Sequence, residues 1–291
     1  MAHGTPASLD EMPEYLRIVR GGRPPSDELV EEMRHNYAAI GGQSPLTAIT
    51  LAQGAALQAE LDRRGGDKAI VVVGMRNWNP FIADVVPRLV DAKVSRVIGI
   101  PLAPQYSTLS VQKYVAAAQA ALPSDMPFTC IRSFHADPQL IDAFAARLRE
   151  ASVQADEEVV FTAHSLPVRV IDAGDPYADE VAATAAAVAQ RAGIGAYQRA
   201  WQSAGRTPEP WLGPDVSDLI RERAGAGVRA FLVVPIGFVC DHTEILFDID
   251  TQAATCAQEV GAALRRTASL NTSPTFIQAL ADLVEREPVP D

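Results

Sequence analysis

The chain is predicted to be an α/β protein of two similar halves, each a parallel sheet flanked by helices, with a cleft between them. Three observations carry that reading. Short apolar runs alternate along the whole chain with alanine-rich amphipathic stretches, the pattern of strand and crossover helix. The length of 291 residues exceeds what one hydrophobic core usually serves, so two domains are expected. A charged, irregular patch near Arg147 to Glu158 separates the halves.

In order, the strand-like runs are KAIVVVGM from Lys68, SRVIGIPLAP from Ser95 and FTCIRSF from Phe128, all in a first half taken as residues 1–148. A second half, residues 149–272, carries EEVVFTAHSL from Glu157, YQRAWQS from Tyr197 and RAFLVVPIGFV from Arg229. The repetition is Rossmann-like. No GxGxxG or GxxxxGK[ST] pattern follows any of these runs, so nucleotide binding has no positive support.

The segment FVCDHTEILFDID, Phe238 to Asp250, concentrates acids and a histidine at the end of a buried strand. Open α/β sheets place their ligand crevices at that end. If the residues after Cys240 are helical, Asp241, Glu244 and Asp248 share one face, with Ile245, Leu246 and Ile249 turned to the packing side. The same acids also suit a structural role, complementing the dipole of a helix's first turn. EEVVFTAHSLP, ending the strand run from Glu157, puts His164 at an equivalent position. Two strand ends bearing a histidine and a carboxylate point to a base and its partner facing one pocket. His242 is expected on a different side from Glu244. His135 and His35 carry no functional signal, and Trp78, Trp201 and Trp211 read as core aromatics.

A formal net charge of −11 argues against a nucleic-acid partner, which requires a basic footprint. An anionic ligand would need a local cationic patch, and Arg17, Arg20, Arg23 and Arg34 offer one. Cys130, Cys240 and Cys256 are widely spaced with no CxxC, which supports neither a disulfide framework nor a zinc site and indicates a reducing compartment. With no signal peptide and no apolar stretch long enough to span a bilayer, a cytoplasmic protein is expected. No association signal stands out, so a monomer is expected.

Taken together, these segments resemble the ferrochelatases. FTAHSLP resembles the histidine motif of that family and VVPIGFVCDHTEILFDID its glutamate motif. AWQSAGRTPEPWLGPDV, PLAPQYSTLS, RPPSDELVEEMRHNYAAIGGQSPL and LNTSPTFIQALADLV are similar to further segments in the same order. The wording of AWQSAGRTPEPWLGPDV most resembles the Gram-positive branch, which metallates coproporphyrin III. The resemblance implies two Rossmann-like domains, with a closing segment, residues 273–291, whose helix around Thr275 to Arg286 packs on the first. It implies insertion of ferrous iron, as a substrate, into a porphyrin, with no permanently bound cofactor. Three scattered cysteines make an iron–sulfur cluster unexpected.

Metal insertion must take two protons from a nearly planar macrocycle. A site gains by binding the ring puckered, with binding energy drawn from remote substituents. His164 suits the base, since a neutral imidazole titrates near operating pH, and Glu244 is expected to stabilise the imidazolium. The resemblance implies that both also ligate incoming iron, a borderline donor pair able to release it to four ring nitrogens. Asp248 would extend the carboxylate row into a hydrated route for iron. Porphyrin-contacting roles carry over to Arg20, Tyr37, Ser44 and Tyr114, with Asn36 standing where some relatives have arginine. His3 occupies the place of a tyrosine in MAYGTP-like motifs, which makes it a candidate axial ligand of product iron.

Relatives have more apolar residues before MAHGTP, so a stunted first strand with uncovered core surface is expected, and with it a misassigned start codon. The remaining alternatives are a protoporphyrin IX ferrochelatase, a non-catalytic haem-binding or haem-delivery protein, and a chelatase of related fold acting on cobalt and a corrin precursor.

Overall fold

The computed structural model describes residues 1–66 and 68–288. Two compact units share the chain: Met1–Ala103, Leu109–Arg132 and Asn271–Asp291 form the first, and Pro104–Thr108 with Ser133–Leu270 the second. The change of unit falls at Arg132 rather than near residue 148. The reason is helical packing, because the helix Pro138–Ala151 lies against the helix Tyr177–Ala192.

The first unit contains a two-stranded parallel sheet, β1 (Val97–Gly99) and β2 (Phe128–Cys130). KAIVVVGM forms no strand. Its Met75 makes single bridges to Ala2 and Phe81, and its Val71 amide donates to the Gln58 side chain instead of to a neighbouring strand. A strand needs a ladder, and apolar β-branched composition supplies none on its own. Ala2 donates to Gly74 O at 3.2 Å, and Leu102 donates to Met1 O at 2.8 Å. Beyond these contacts a cavity of about 910 Å³ opens among residues that include Leu57, Val71, Val73, Leu89 and Ile98.

The helix Leu46–Arg64 stops where Gly65 turns left-handed, φ +69°. It is the packing partner of the helix Pro274–Arg286. Arg64 Nη1 reaches Asp282 at 2.6 Å and Glu285 at 2.8 Å, and Gln53 Nε2 donates to Asn271 O at 2.9 Å. Residues 289–291 of the closing segment lie outside the described residues.

The second unit holds a four-stranded all-parallel sheet in the order β4-β3-β5-β6. Its strands are β3 (Glu157–His164), β4 (Gln198–Gln202), β5 (Ala230–Pro235) and β6 (Ala263–Arg266). The central strands β3 and β5 are buried nearly throughout, which is why both read as unbroken apolar runs. β6 was not anticipated because ALRR carries two arginines. Those arginines are paired, Arg265 with Glu157 at 2.5 Å and Arg266 with Asp250 at 2.7 Å, so an edge strand tolerates them. Capping begins the crossover helices: Asp137 accepts from the amides of Gln139 and Leu140, and Asp215 from that of Ser217.

Candidate active site

Parallel strands end on one side of their sheet, so the residues after β3, β4 and β5 collect there. His164 is the last residue of β3 and lies in register with Gln202, the last residue of β4. From the end of β5 the chain folds back over β3. Gly237 donates to Thr162 O at 3.2 Å, and a Cβ at this glycine would lie 2.7 Å from Ala163 Cβ. Only glycine permits that approach, and it delivers the following turn to the end of β3.

The turn carries Glu244 onto His164. Nδ1 of the imidazole and Oε2 of the carboxylate are 2.9 Å apart, with side chains 33% and 39% exposed. An ionised carboxylate only accepts, so Nδ1–H donates and the Nε2 lone pair is left available to a proton or a metal. Tyr177 donates its hydroxyl to His164 O at 3.0 Å and fixes the strand end.

Helix regularity breaks at this point. Thr243–Leu246 forms a single short turn, followed by a π-helical segment over Asp248–Ala253 in which Gln252 donates to Phe247 O at 2.8 Å. Such widened turns recur at functional sites. Asp241 therefore leaves the expected row and is tied to Ser269 at 2.7 Å and Arg266 at 3.0 Å. His242 also departs from expectation. Its Nε2 lies 3.9 Å from Glu244 Oε2, its Nδ1 contacts Cys240 O at 3.0 Å, and its ring packs on Phe238. Ser203, which the sequence reading passed over, holds Asp248 Oδ2 with its hydroxyl from a left-handed backbone, φ +59°.

Burial opposes charge on His164, yet the adjacent Glu244 carboxylate outweighs it and raises the imidazole above its ordinary value. Burial likewise opposes charge on Glu244, but attraction from His164 and His242 holds it well below the carboxylate range. Burial first, then the negative Glu244, push Asp248 up to about 7 against the Ser203 hydroxyl bond. The His164 contribution to stability is complete below about pH 6.5 and is lost as pH rises through its raised value. That of Glu244 is complete above about pH 4.5 and is lost as pH falls through its lowered value. The melting temperature of the metal-free protein should therefore carry a pair-dependent maximum between those limits. Glu244→Gln should flatten that maximum, and an unchanged profile would remove the pair from the account of stability.

The other sequence-predicted site residues lie in the first unit. His3 Nε2 sits 2.8 Å from Asn77 Nδ2, and Nδ1 lies 3.0 Å from Gly4 O and 3.3 Å from the Tyr15 hydroxyl. Tyr37 is buried, with its hydroxyl 2.8 Å from Thr5 Oγ1. Tyr114 is buried beside Ile82 and Ala118, with the Arg76 guanidinium 5.4 Å over its ring. Ser44 is buried and accepts from the Leu46 amide. Arg20 is exposed at the end of the helix Met12–Val19, and Asn36 is half-buried in the helix Asp27–Ala39. Of the expected cationic patch, Arg17 pairs with Glu14 and Arg34 with Glu31. Trp78 and Trp201 are buried, whereas Trp211 is partly exposed and donates to Thr207 at 2.9 Å. His135 contacts Ser133 Oγ at 2.8 Å and Glu180 at 3.3 Å.

The three cysteines are free thiols, and burial pushes Cys240 up to about 12 and Cys130 to about 11. Among the described residues no helix is long and apolar enough to cross a membrane.

Comparison with known proteins bears on this geometry. The family model for ferrochelatase matches residues 1–288. A ferrochelatase from Deinococcus radiodurans is 44% identical over 99% of this chain and 94% of its own length. A coproporphyrin III ferrochelatase from Geobacillus sp. is 40% identical over 98% and 95%. In fold, the chain is similar to SirB from Bacillus subtilis, solved with Fe3+, with a TM-score of 0.57 at 13% identity over 80% of this chain and 88% of that one. CbiX gives the same TM-score of 0.57 at 14% identity over 99% and 97%.

Proposed function

The chain belongs to the ferrochelatase family, enzymes that insert iron into a porphyrin in haem biosynthesis, and we propose that His164 and Glu244 carry the exchange of protons for iron and that coproporphyrin III is the porphyrin taken. The observation that carries the first part is the 2.9 Å contact that engages His164 Nδ1 and leaves Nε2 for the reaction.

In this reading Nε2 accepts the two pyrrole protons one after the other as the ring is metallated, passing on the first before it takes the second. The imidazolium formed is stabilised by the Glu244 carboxylate, which is already ionised beside it. Asp248, titrating near 7 and adjacent to this pair, is suited to receive a proton and release it outward. Imidazole and carboxylate are also the donors that would meet ferrous iron, a combination that accepts the ion without retaining it as thiolates do. His3 is the candidate axial ligand of product iron, a role that requires Nε2 to give up its contact with Asn77.

Support for coproporphyrin III comes from the 40% identity with the Geobacillus enzyme and from the wording of Ala200 to Val216. Coproporphyrin carries four propionates where protoporphyrin IX has two and a pair of vinyl groups, so the two should separate in kcat/KM. Anaerobic steady-state assays with Fe(II) and each porphyrin should give the higher value for coproporphyrin III. Equal values, or a preference for protoporphyrin IX, would overturn this assignment and leave the family reaction intact.

A further inference from the structure

Gln202 is fully buried at the end of β4, and its position is unusual for a polar side chain. Its Nε2 donates to the backbone carbonyl of Glu244 at 2.6 Å, while Oε1 is buried with no hydrogen-bond partner among the described residues. An orphaned acceptor in the interior costs free energy. A packing role is served better by methionine or leucine, so the amide is retained for the bond that it does make.

That bond ties the β4 end to the Glu244 turn, beside the Gly237 contact that lays the same turn over β3. Gln202 lies in register with His164, and its own carbonyl accepts from the Ser165 amide at 2.7 Å, so its backbone is locked to the strand end that carries the imidazole. Its side chain is locked to the residue that carries the carboxylate. The turn that carries Glu244 is short, closed by the Ile245 and Leu246 amides on His242 O and anchored by the buried Ile245. The helix Thr243–Leu246 has four residues, its N-cap His242 makes no side-chain capping bond, and the Thr243 hydroxyl is buried without a partner. A single turn of this length has no stability of its own.

We propose that Gln202 is the positioning residue of the site: one buried carboxamide holds the Glu244 turn against the His164 strand and so sets the carboxylate at Nδ1. The proposal rests on the reading of His164 and Glu244 as the reacting pair. It adds that the alignment of the pair, rather than the presence of the two groups, is what Gln202 supplies.

The test is Gln202→Met in the full chain, which keeps the volume and removes both the donor and the orphaned acceptor. We expect kcat for iron insertion to fall by about 10-fold or more, the scale on which small misplacements of a reacting group are felt. Porphyrin KM and the melting temperature should be little changed. The downfield Nδ1 proton resonance of His164, the signature of a short imidazole–carboxylate bond, should move upfield. Gln202→Leu, of similar volume and likewise without a donor for the Glu244 carbonyl, should lose kcat in the same way and carries the test if the methionine variant does not fold. Wild-type kcat with an unmoved Nδ1 resonance overturns the proposal, as does a loss of kcat that merely tracks a lowered melting temperature. His164→Ala separates the two levels. If that variant is inactive while Gln202→Met is fully active, only the positioning role falls; if His164→Ala retains turnover, the reading beneath it falls.

Discussion

Replacing His164 by alanine should lower kcat for iron insertion by about 10²- to 10⁴-fold, the usual contribution of a positioned general base, with porphyrin affinity largely kept. The imidazole is 33% exposed and bound through Nδ1 alone to Glu244, so its removal opens space without stranding a second buried partner in the core. Glu244 keeps His242 as a neighbour, 3.9 Å away. Chemistry should therefore fail before folding does. Fluorescence quenching by the porphyrin would report affinity and anaerobic metal insertion would report turnover. If affinity and turnover fall together, the residue is a binding group, and a non-catalytic haem-binding role gains ground.

The largest loss of stability should come from Asp175→Ala. This carboxylate is 7% exposed and accepts from Ser107 Oγ at 3.1 Å, the Thr108 amide and hydroxyl at 2.7 Å each, and the Tyr177 amide at 3.1 Å. It thus fastens the segment Pro104–Thr108 and the start of the helix Tyr177–Ala192 within the second unit. Alanine would take the acceptor from the buried Ser107 hydroxyl and Tyr177 amide, each worth about 1–3 kcal/mol, while the exposed Thr108 can turn to water, so a loss of about 3 kcal/mol is expected. Hydrogen exchange at the β3 amides, followed in increasing urea, would place the loss in this unit. Wild-type protection there would show that water replaces the carboxylate at no cost.

The neighbouring acid Glu180 plays a comparable part, accepting from the Tyr106 amide at 2.6 Å and Ser133 Oγ at 2.7 Å. Neither Asp175 nor Glu180 announces itself in the sequence, because the partners Tyr106, Ser107, Thr108 and Ser133 are 47 to 74 residues away. Tyr37 and Tyr114 show the same blindness from the other side. As residue types they suit propionate binding, but both rings are buried, and a helix position does not reveal whether a tyrosine tip meets solvent or Thr5.

The strand pattern was more transparent where a strand is central. β3 and β5 are buried on both faces, so their composition reports their fold directly. At the margins composition fails in both directions. KAIVVVGM has the right residues and no ladder, while ALRR has the wrong residues and pairs with β5 from Ala230 to Val233. A ladder is a property of two segments, and neither one encodes the other's presence.

For the site, linear order was sufficient to put a histidine at the end of β3 and a carboxylate just past the end of β5, since parallel strands gather their ends. What it left open was how the turn beyond β5 is spent among its acids and histidines. Helical spacing would have aligned Asp241 with Glu244, whereas Arg266 and Ser269, both distant in the chain, draw Asp241 away and a π-helical segment follows Glu244. Charge pairing and hydrogen bonding act across space with strengths that depend on separation, and separations of a few ångströms between remote segments exist only once the chain has folded.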